Sequence, residues 1–133
     1  MASNRIARRS RVTSWRIVRS FRFAFAGLAY LLRTQRNARI HVLVGTLACV
    51  LAAWLRVGRV EWAVIVFTIA LVIILEGLNT AVEAAIDLAS PQIHPLAKAA
   101  KDLAAGMVLV AALASVAVGL LILGPPLWAR LFG

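Results

Sequence analysis

Acidic side chains are scarce in this 133-residue chain: five Asp and Glu stand against fifteen Lys and Arg. Charge of either sign is thin, at 15% of residues, where a soluble domain carries about 25%. There is a single cysteine, Cys49, inside an apolar run, which excludes both a disulfide framework and a cysteine metal cluster within one chain and leaves the redox compartment unreadable. What fills the sequence instead is hydrophobic, 62% of residues with a mean hydropathy of +0.89. Such a composition belongs to a membrane protein. The length admits about three or four spans of roughly 20 residues and excludes a large multidomain enzyme. A formal net charge of +10 would point to nucleic acid in a soluble chain. In an apolar chain it points to anionic lipid and to orientation, and no nucleic-acid partner is expected.

Residues 1–39 hold ten arginines and no acid, so they cannot span a membrane. Arginines recur too far along for the short basic start and apolar core of a signal peptide, and no cleaved targeting segment is expected. At 100° per residue, Ile17, Val18, Phe21, Phe25, Leu28 and Leu32 share an arc of about 100°, with Arg16, Arg19, Arg22 and Arg33 on a separate arc. That pattern predicts an amphipathic helix lying in the membrane interface. Trp15 and Phe23 fall off the stripe, and a disordered basic tail is the competing reading.

Three spans follow, giving an all-α membrane protein in a single domain. The first, 40–55, is short, but Arg36, Arg39 and Arg56 can snorkel at its ends. The second, 60–89, is apolar to Leu75 and carries a polar face from Glu76. Ser90-Pro91-Gln92-Ile93-His94-Pro95 reads as a connector, with Pro95 suited to a first helical position. The third, 95–123, is closed by Gly124-Pro125-Pro126. Trp54, Trp62 and Trp128 read as interface anchors.

Twelve basic residues, the ten N-terminal arginines with Lys98 and Lys101, fall on one side, against Arg56, Arg59 and Arg130 on the other. The N-terminus and the connector between spans two and three are therefore expected in the cytoplasm, the chain lying in the inner (cytoplasmic) membrane. Gly45/Cys49/Ala53 and Ala111/Ser115/Gly119 put small residues at four-residue spacing on spans one and three, which lets helix backbones approach. Three spans enclose a polar site poorly. A homo-oligomer sharing that site is the economical solution.

Four of the five acids lie between Glu76 and Asp102. Asn79, Thr80, Glu83 and Asp87 follow Glu76 at +3, +4, +7 and +11, so all five share a helix stripe of about 100°. A carboxylate in hydrocarbon costs at least ~2.5 kcal/mol on insertion scales, which two or three acids on one face multiply unless they are paired or metal-bound. His94, Lys98, Lys101 and Asp102 recur at helical spacing at the start of span three and set ammonium groups against the carboxylates. Mg²⁺ takes one or two carboxylates and bridges to nucleotide phosphates. Phosphoryl transfer fits this set, since it asks of the protein charge balance for phosphate and a carboxylate near the acceptor hydroxyl. No G-x-x-x-x-G-K-[ST] loop or protein-kinase signature is present. A small ion-coupled transporter would also account for acids on a membrane face, though not for acids and bases crowded at one membrane side.

The runs Glu76-Gly77-Leu78-Asn79-Thr80-Ala81-Val82-Glu83-Ala84-Ala85-Ile86-Asp87 and His94-Pro95-Leu96-Ala97-Lys98-Ala99-Ala100-Lys101-Asp102-Leu103-Ala104-Ala105-Gly106, with Arg36-Asn37-Ala38-Arg39-Ile40-His41 before them, resemble the bacterial integral-membrane diacylglycerol kinase and undecaprenol kinase family. The resemblance covers about 33–123. It implies a homotrimer of three-span protomers with interfacial active sites, transferring the γ-phosphoryl group of MgATP to a membrane lipid hydroxyl. The His-Pro-Leu-Ala-Lys form of the connector is more similar to the undecaprenol kinases.

By position, Glu76 resembles the family's catalytic base and Glu83 its metal-binding glutamate. Asn79 and Asp87 match polar positions near the site, Asp87 on the nucleotide side, and Gln92, Ile93, His94, Lys101 and Asp102 match the nucleotide-binding stretch. The family usually carries a second metal-binding glutamate just before the Arg-Asn pair, where this chain has Gln35. An amide carbonyl still binds Mg²⁺, more weakly, and a weakly active member with a structural or lipid-binding role is the reading this departure motivates. His94 is read as a nucleotide contact. His41, at the cytoplasmic end of span one, reads as a packing or hydrogen-bonding residue.

Overall fold

The computed structural model describes residues 3–90 and 94–133, and the regular structure in them is entirely helical. Four helices succeed one another: α1 Ser3–Thr34, α2 Arg36–Leu55, α3 Arg59–Ala89 and α4 Pro95–Phe132. The last three are each long and apolar enough to cross a membrane. The expected all-α architecture with three spans is therefore what the chain adopts. Pro91, Gln92 and Ile93, the middle of the connector, lie outside the described residues.

The chain divides into two compact units, 1–34 and 35–133. The first is α1, helical where a disordered tail was the competing reading. Val18, Phe21, Phe25 and Leu28 of its apolar stripe are exposed. Phe23, off that stripe, takes the guanidinium groups of Arg19 and Arg22 at 5.6 and 5.8 Å from its ring centroid, a cation–π pairing that suits a polar flank.

In the second unit α2 starts at Arg36, earlier than the expected span at 40, because Gln35 takes an extended backbone (φ −101, ψ 118) that separates it from α1. Asn37 and His41 thereby share one helical face. The α2–α3 turn is tight: Arg56 adopts the left-handed region (φ 55), and its N–H reaches Ala52 and Ala53 carbonyls. A Cβ on Gly58 would come within 2.5 Å of Glu61 Oε2. Glu61 lies in the first turn of α3, where a carboxylate suits the helix dipole. Ala52, Ile65 and Leu123 form the buried cluster near this turn, and Trp62 packs partly buried against it. Trp62 is thus partly covered by its own chain, whereas Trp54 and Trp128 are exposed.

The third span does not close at Gly124. Helix α4 continues through Pro125 and Pro126 to Phe132, and Gly124 has no positive φ with which to form a left-handed cap. The two prolines remove their own amide donors and set their rings against the carbonyls one turn earlier, yet the helix continues past them to Phe132. Arg130 stacks over the Trp54 ring at 4.9 Å, and the Trp128 and Phe132 rings lie 4.6 Å apart. These contacts hold the terminal turns against α2 and against themselves.

Helix α3 packs most extensively against α4 and next against α2, while α2 and α4 meet least. Gly45 of α2 lies close against α3, where an added Cβ would stand 3.0 Å from Ile69 Cγ2. Overpacking of this kind costs about 1–3 kcal/mol. Gly45→Leu is accordingly expected to lower the thermal unfolding midpoint in detergent, while Gly106→Ala, whose Cβ would meet nothing within 4 Å, should not.

Candidate active site

Helix α3 is 31 residues long, about 46 Å at 1.5 Å per residue, and so exceeds a hydrocarbon core of about 30 Å. The helix is apolar from Trp62 to Leu75, and its polar stripe begins at Glu76. The 3.6-residue repeat sets Glu76, Asn79, Thr80, Glu83 and Asp87 along one side, as their spacing predicts. Each then meets a different environment.

Glu76 is the deepest, with 2% of its surface exposed. Thr80, also buried, donates its hydroxyl to the Glu76 carbonyl oxygen at 3.0 Å, which satisfies a hydroxyl without occupying the carboxylate. Glu76 and Asn79 line a 270 Å³ cavity with Asn37 and His41 of α2, closed on the α4 side by Val108 and Ala112 among others. Asn79 Nδ2 donates to Glu83 Oε1 at 3.1 Å. Its Oδ1 is buried without a hydrogen-bond partner, an acceptor that a donor entering the cavity would satisfy.

Farther along the stripe the groups are wet. Lys101 Nζ of α4 donates to Asp87 Oδ1 and ties the two helix ends together. Lys101 therefore pairs one turn beyond Glu83. Asp102 accepts from Lys98, one turn earlier on its own helix, with both side chains more than half exposed, so that pair adds little to stability. His94 precedes α4 as its cap: Nδ1 accepts from the Leu96 N–H at 3.2 Å, with Pro95 at the first turn as expected. That bond leaves Nε2 free to face an incoming group. Gln92 and Ile93 lie outside the described residues.

The structure thus brings Glu76, Asn79 and Glu83 together as one continuous polar strip, and Asp87 with Lys101 as a second station at the helix ends. Gln35 stands at the start of α2 and is not among the residues lining the Glu76 cavity. Among the described residues no three His, Cys, Asp or Glu side chains cluster into a ready-made metal cage. Mg²⁺ does not need one, since it keeps waters and takes one or two carboxylates plus substrate phosphates. Glu83, half-buried beside Asn79, supplies oxygen donors of that kind. Asn37, which sequence reasoning does not single out, and His41, which it reads as a packing or hydrogen-bonding residue, both line this cavity from α2. The signal was available: positions 37 and 41 are four apart and share a helix face.

Known proteins are similar to this chain over most of its length. The chain is 50% identical over 109 residues to a diacylglycerol kinase of Synechocystis, covering 81% of this chain and 62% of that protein. It is 40% identical over 112 residues to the undecaprenol kinase of Bacillus subtilis, covering 84% and 91%. It is 31% identical over 101 residues to a diacylglycerol kinase of Escherichia coli, covering 76% and 83%. Residues 22–123 match the pattern of the family described as prokaryotic diacylglycerol kinase, a stretch that holds the Glu76 cavity and the Asp87–Lys101 pair entire, and on this footing the chain belongs to that family.

Proposed function

We propose that this chain is an ATP-dependent membrane lipid kinase, transferring the γ-phosphoryl group of MgATP to a lipid hydroxyl, with undecaprenol favoured over diacylglycerol. The observation that carries the reading is the polar strip of α3. A buried carboxylate, Glu76, faces a cavity at membrane depth, and an Asn79–Glu83 pair leads from it toward the charged helix ends. The lipid hydroxyl belongs in the cavity, where Glu76 takes its proton as phosphoryl transfer proceeds. Asn79 Oδ1 is an acceptor that a water entering the cavity can fill, since the hydroxyl's own proton goes to Glu76. Glu83 is the residue that would hold Mg²⁺, whose chemistry is to balance phosphate charge. Asp87, Gln92, Ile93, His94, Lys101 and Asp102 form the nucleotide side, with Lys101 as phosphate cation.

The preference for undecaprenol rests on the His94-Pro95-Leu96-Ala97-Lys98 connector and on the B. subtilis relative named for that substrate. A homotrimer suits a three-helix unit whose apolar surfaces remain largely uncovered in one chain. The arginine-rich α1 lies in the interface as an amphipathic helix, and the basic N-terminal side and the nucleotide site face the cytoplasm across the inner membrane. The test is purified protein with labelled ATP and a panel of undecaprenol, diacylglycerol and other lipid alcohols. Transfer to none of them removes the reading.

Two further outcomes follow from the same assignment. Lys101→Met is expected to weaken ATP binding by about tenfold or more, the scale of a lost charge-assisted contact to phosphate, with a smaller change in the unfolding midpoint because the Asp87 side of its ion pair is exposed. An unchanged ATP affinity by titration would move the phosphate site elsewhere. Gln35→Glu is expected to lower the Mg²⁺ concentration for half-maximal activity, because an anionic oxygen compensates the lost hydration of Mg²⁺ better than an amide carbonyl does. An equal or higher value, with fold and oligomer intact, would mean that ATP is positioned by another route.

A further inference from the structure

Helix α4 outruns the stretch that this chain shares with its family. The match ends at Leu123, whereas α4 continues to Phe132, and the added turns carry Trp128 and Arg130. The Arg130 guanidinium lies over the Trp54 ring of α2, 4.9 Å from its centroid. Stacking occupies the flat face of a guanidinium and leaves the N–H donors at its edge available. Among the described residues, the Arg130 side chain makes no ion pair or hydrogen bond that would use them. Two more arginines stand on the turn that follows Trp54. Arg56 and Arg59 are exposed and, like Arg130, pair with no acid among the described residues. Glu61, the acid nearest them in sequence, sits against Gly58 in the first turn of α3, where it serves the helix dipole. Arg56 also takes the left-handed region at the end of α2 (φ 55), a position at which glycine is unstrained and arginine is not. Helix α3 runs 31 residues from Arg59 to Ala89, so these cations lie at the end of the spans remote from Glu83 and Asp87. The site described above has no use for them.

We propose that Arg56, Arg59 and Arg130, with Trp54 as the platform that orients Arg130, bind the headgroup phosphate of an anionic phospholipid in the leaflet at that end of the spans. Guanidinium edges recognise phosphate oxygens in bidentate fashion. Trp54 and Trp128 are exposed beside them, and tryptophans at the ends of spans sit at headgroup level, which makes the phosphate that of a lipid. A second copy of the chain packed on the same patch would set arginine against arginine, a repulsive arrangement. This lipid is distinct from the one that carries the reacting hydroxyl, and its binding needs no turnover. A phosphate held here ties the end of α4 to the α2–α3 turn, and so joins the two spans that meet least.

The test uses the full-length chain with Trp54 as its single tryptophan (Trp15→Phe, Trp62→Phe and Trp128→Phe), in bilayers of phosphatidylcholine and phosphatidylglycerol with one lipid or the other brominated. Bromine quenches a tryptophan that it touches, so the two quenching levels within one variant give the relative occupancy beside Trp54. Phosphatidylglycerol is expected to be favoured about fivefold or more, the scale of one arginine at an anionic membrane surface. Arg130→Gln and Arg56→Gly should each bring the preference toward unity. Because Arg56→Gly puts glycine at the left-handed position, its unfolding midpoint should hold or rise, which separates a lost preference from a lost fold. Equal occupancy by the two lipids in the parent chain overturns the proposal. So does a preference that survives both substitutions, since it would then belong to arginines elsewhere in the chain. As a second readout, the unfolding midpoint of the parent chain should rise with phosphatidylglycerol content while that of Arg130→Gln stays level; equal rises in the two would overturn the tie between α4 and the α2–α3 turn.

Discussion

Glu76→Gln is expected to reduce kcat by a factor of about 10² to 10⁴, the contribution of a well-placed general base, while ATP affinity stays close to that of the wild type. The two side chains are nearly isosteric, so the 270 Å³ cavity keeps its shape, and Thr80 still bonds to the backbone carbonyl of residue 76, which the substitution leaves untouched. Burying an amide in place of a carboxylate also lowers the desolvation cost at a site with 2% exposure. The variant should therefore fold at least as well as the wild type. Retained turnover would remove Glu76 from the role of base, and a parallel loss of ATP binding would move it to the nucleotide side. Single-turnover phosphorylation alongside ATP titration separates these results.

Glu83→Gln is the second large effect. The Mg²⁺ concentration for half-maximal activity should rise by about tenfold or more, which corresponds to roughly 1.4 kcal/mol of lost interaction. Glutamine retains a carbonyl oxygen that can accept from Asn79 Nδ2, so the 3.1 Å hydrogen bond across one helical turn survives. What disappears is the negative charge, and Mg²⁺ gives up its hydration reluctantly without it. The comparison is clean because the geometry around Asn79 is preserved. An unchanged Mg²⁺ titration would place the metal away from Glu83, with Gln35 or Asp102 the next positions to test.

Much of this architecture was legible beforehand because a bilayer imposes simple rules. Runs of apolar residues set the three spans, and a polar stripe at +3, +4, +7 and +11 from Glu76 could only be one helix face. Where reading failed, the cause was local. Gly124-Pro125-Pro126 looks like a stop, but two prolines delete two donors and leave the donors after them intact, and Arg130 on Trp54 anchors the continuation. Trp62 reads as an interface anchor by type, and only the packing shows that it also covers Ala52, Ile65 and Leu123.

The ion pairs show the same limit from the other direction. Spacing alone places Lys98, Lys101 and Asp102 opposite the carboxylates of α3, without choosing partners. Partner choice depends on how far α4 is rotated and shifted along α3, and the result is Lys101 on Asp87 with Asp102 held by Lys98. Helix periodicity is a property of one element, whereas rotation and shift are properties of two.

By itself the sequence determined that the chain crosses a membrane three times, which face of α3 is polar, and which family it resembles, because hydropathy and helical period act along a single chain. The tertiary structure alone decided which of those polar groups are buried. It put Glu76 into a cavity with His41 and Asn37 and left Asp87 in water. Burial depends on what the neighbouring helices place opposite each residue, and that is set by the close packing of α2 on α3 at Gly45 and by α3 packing far more on α4 than α2 does.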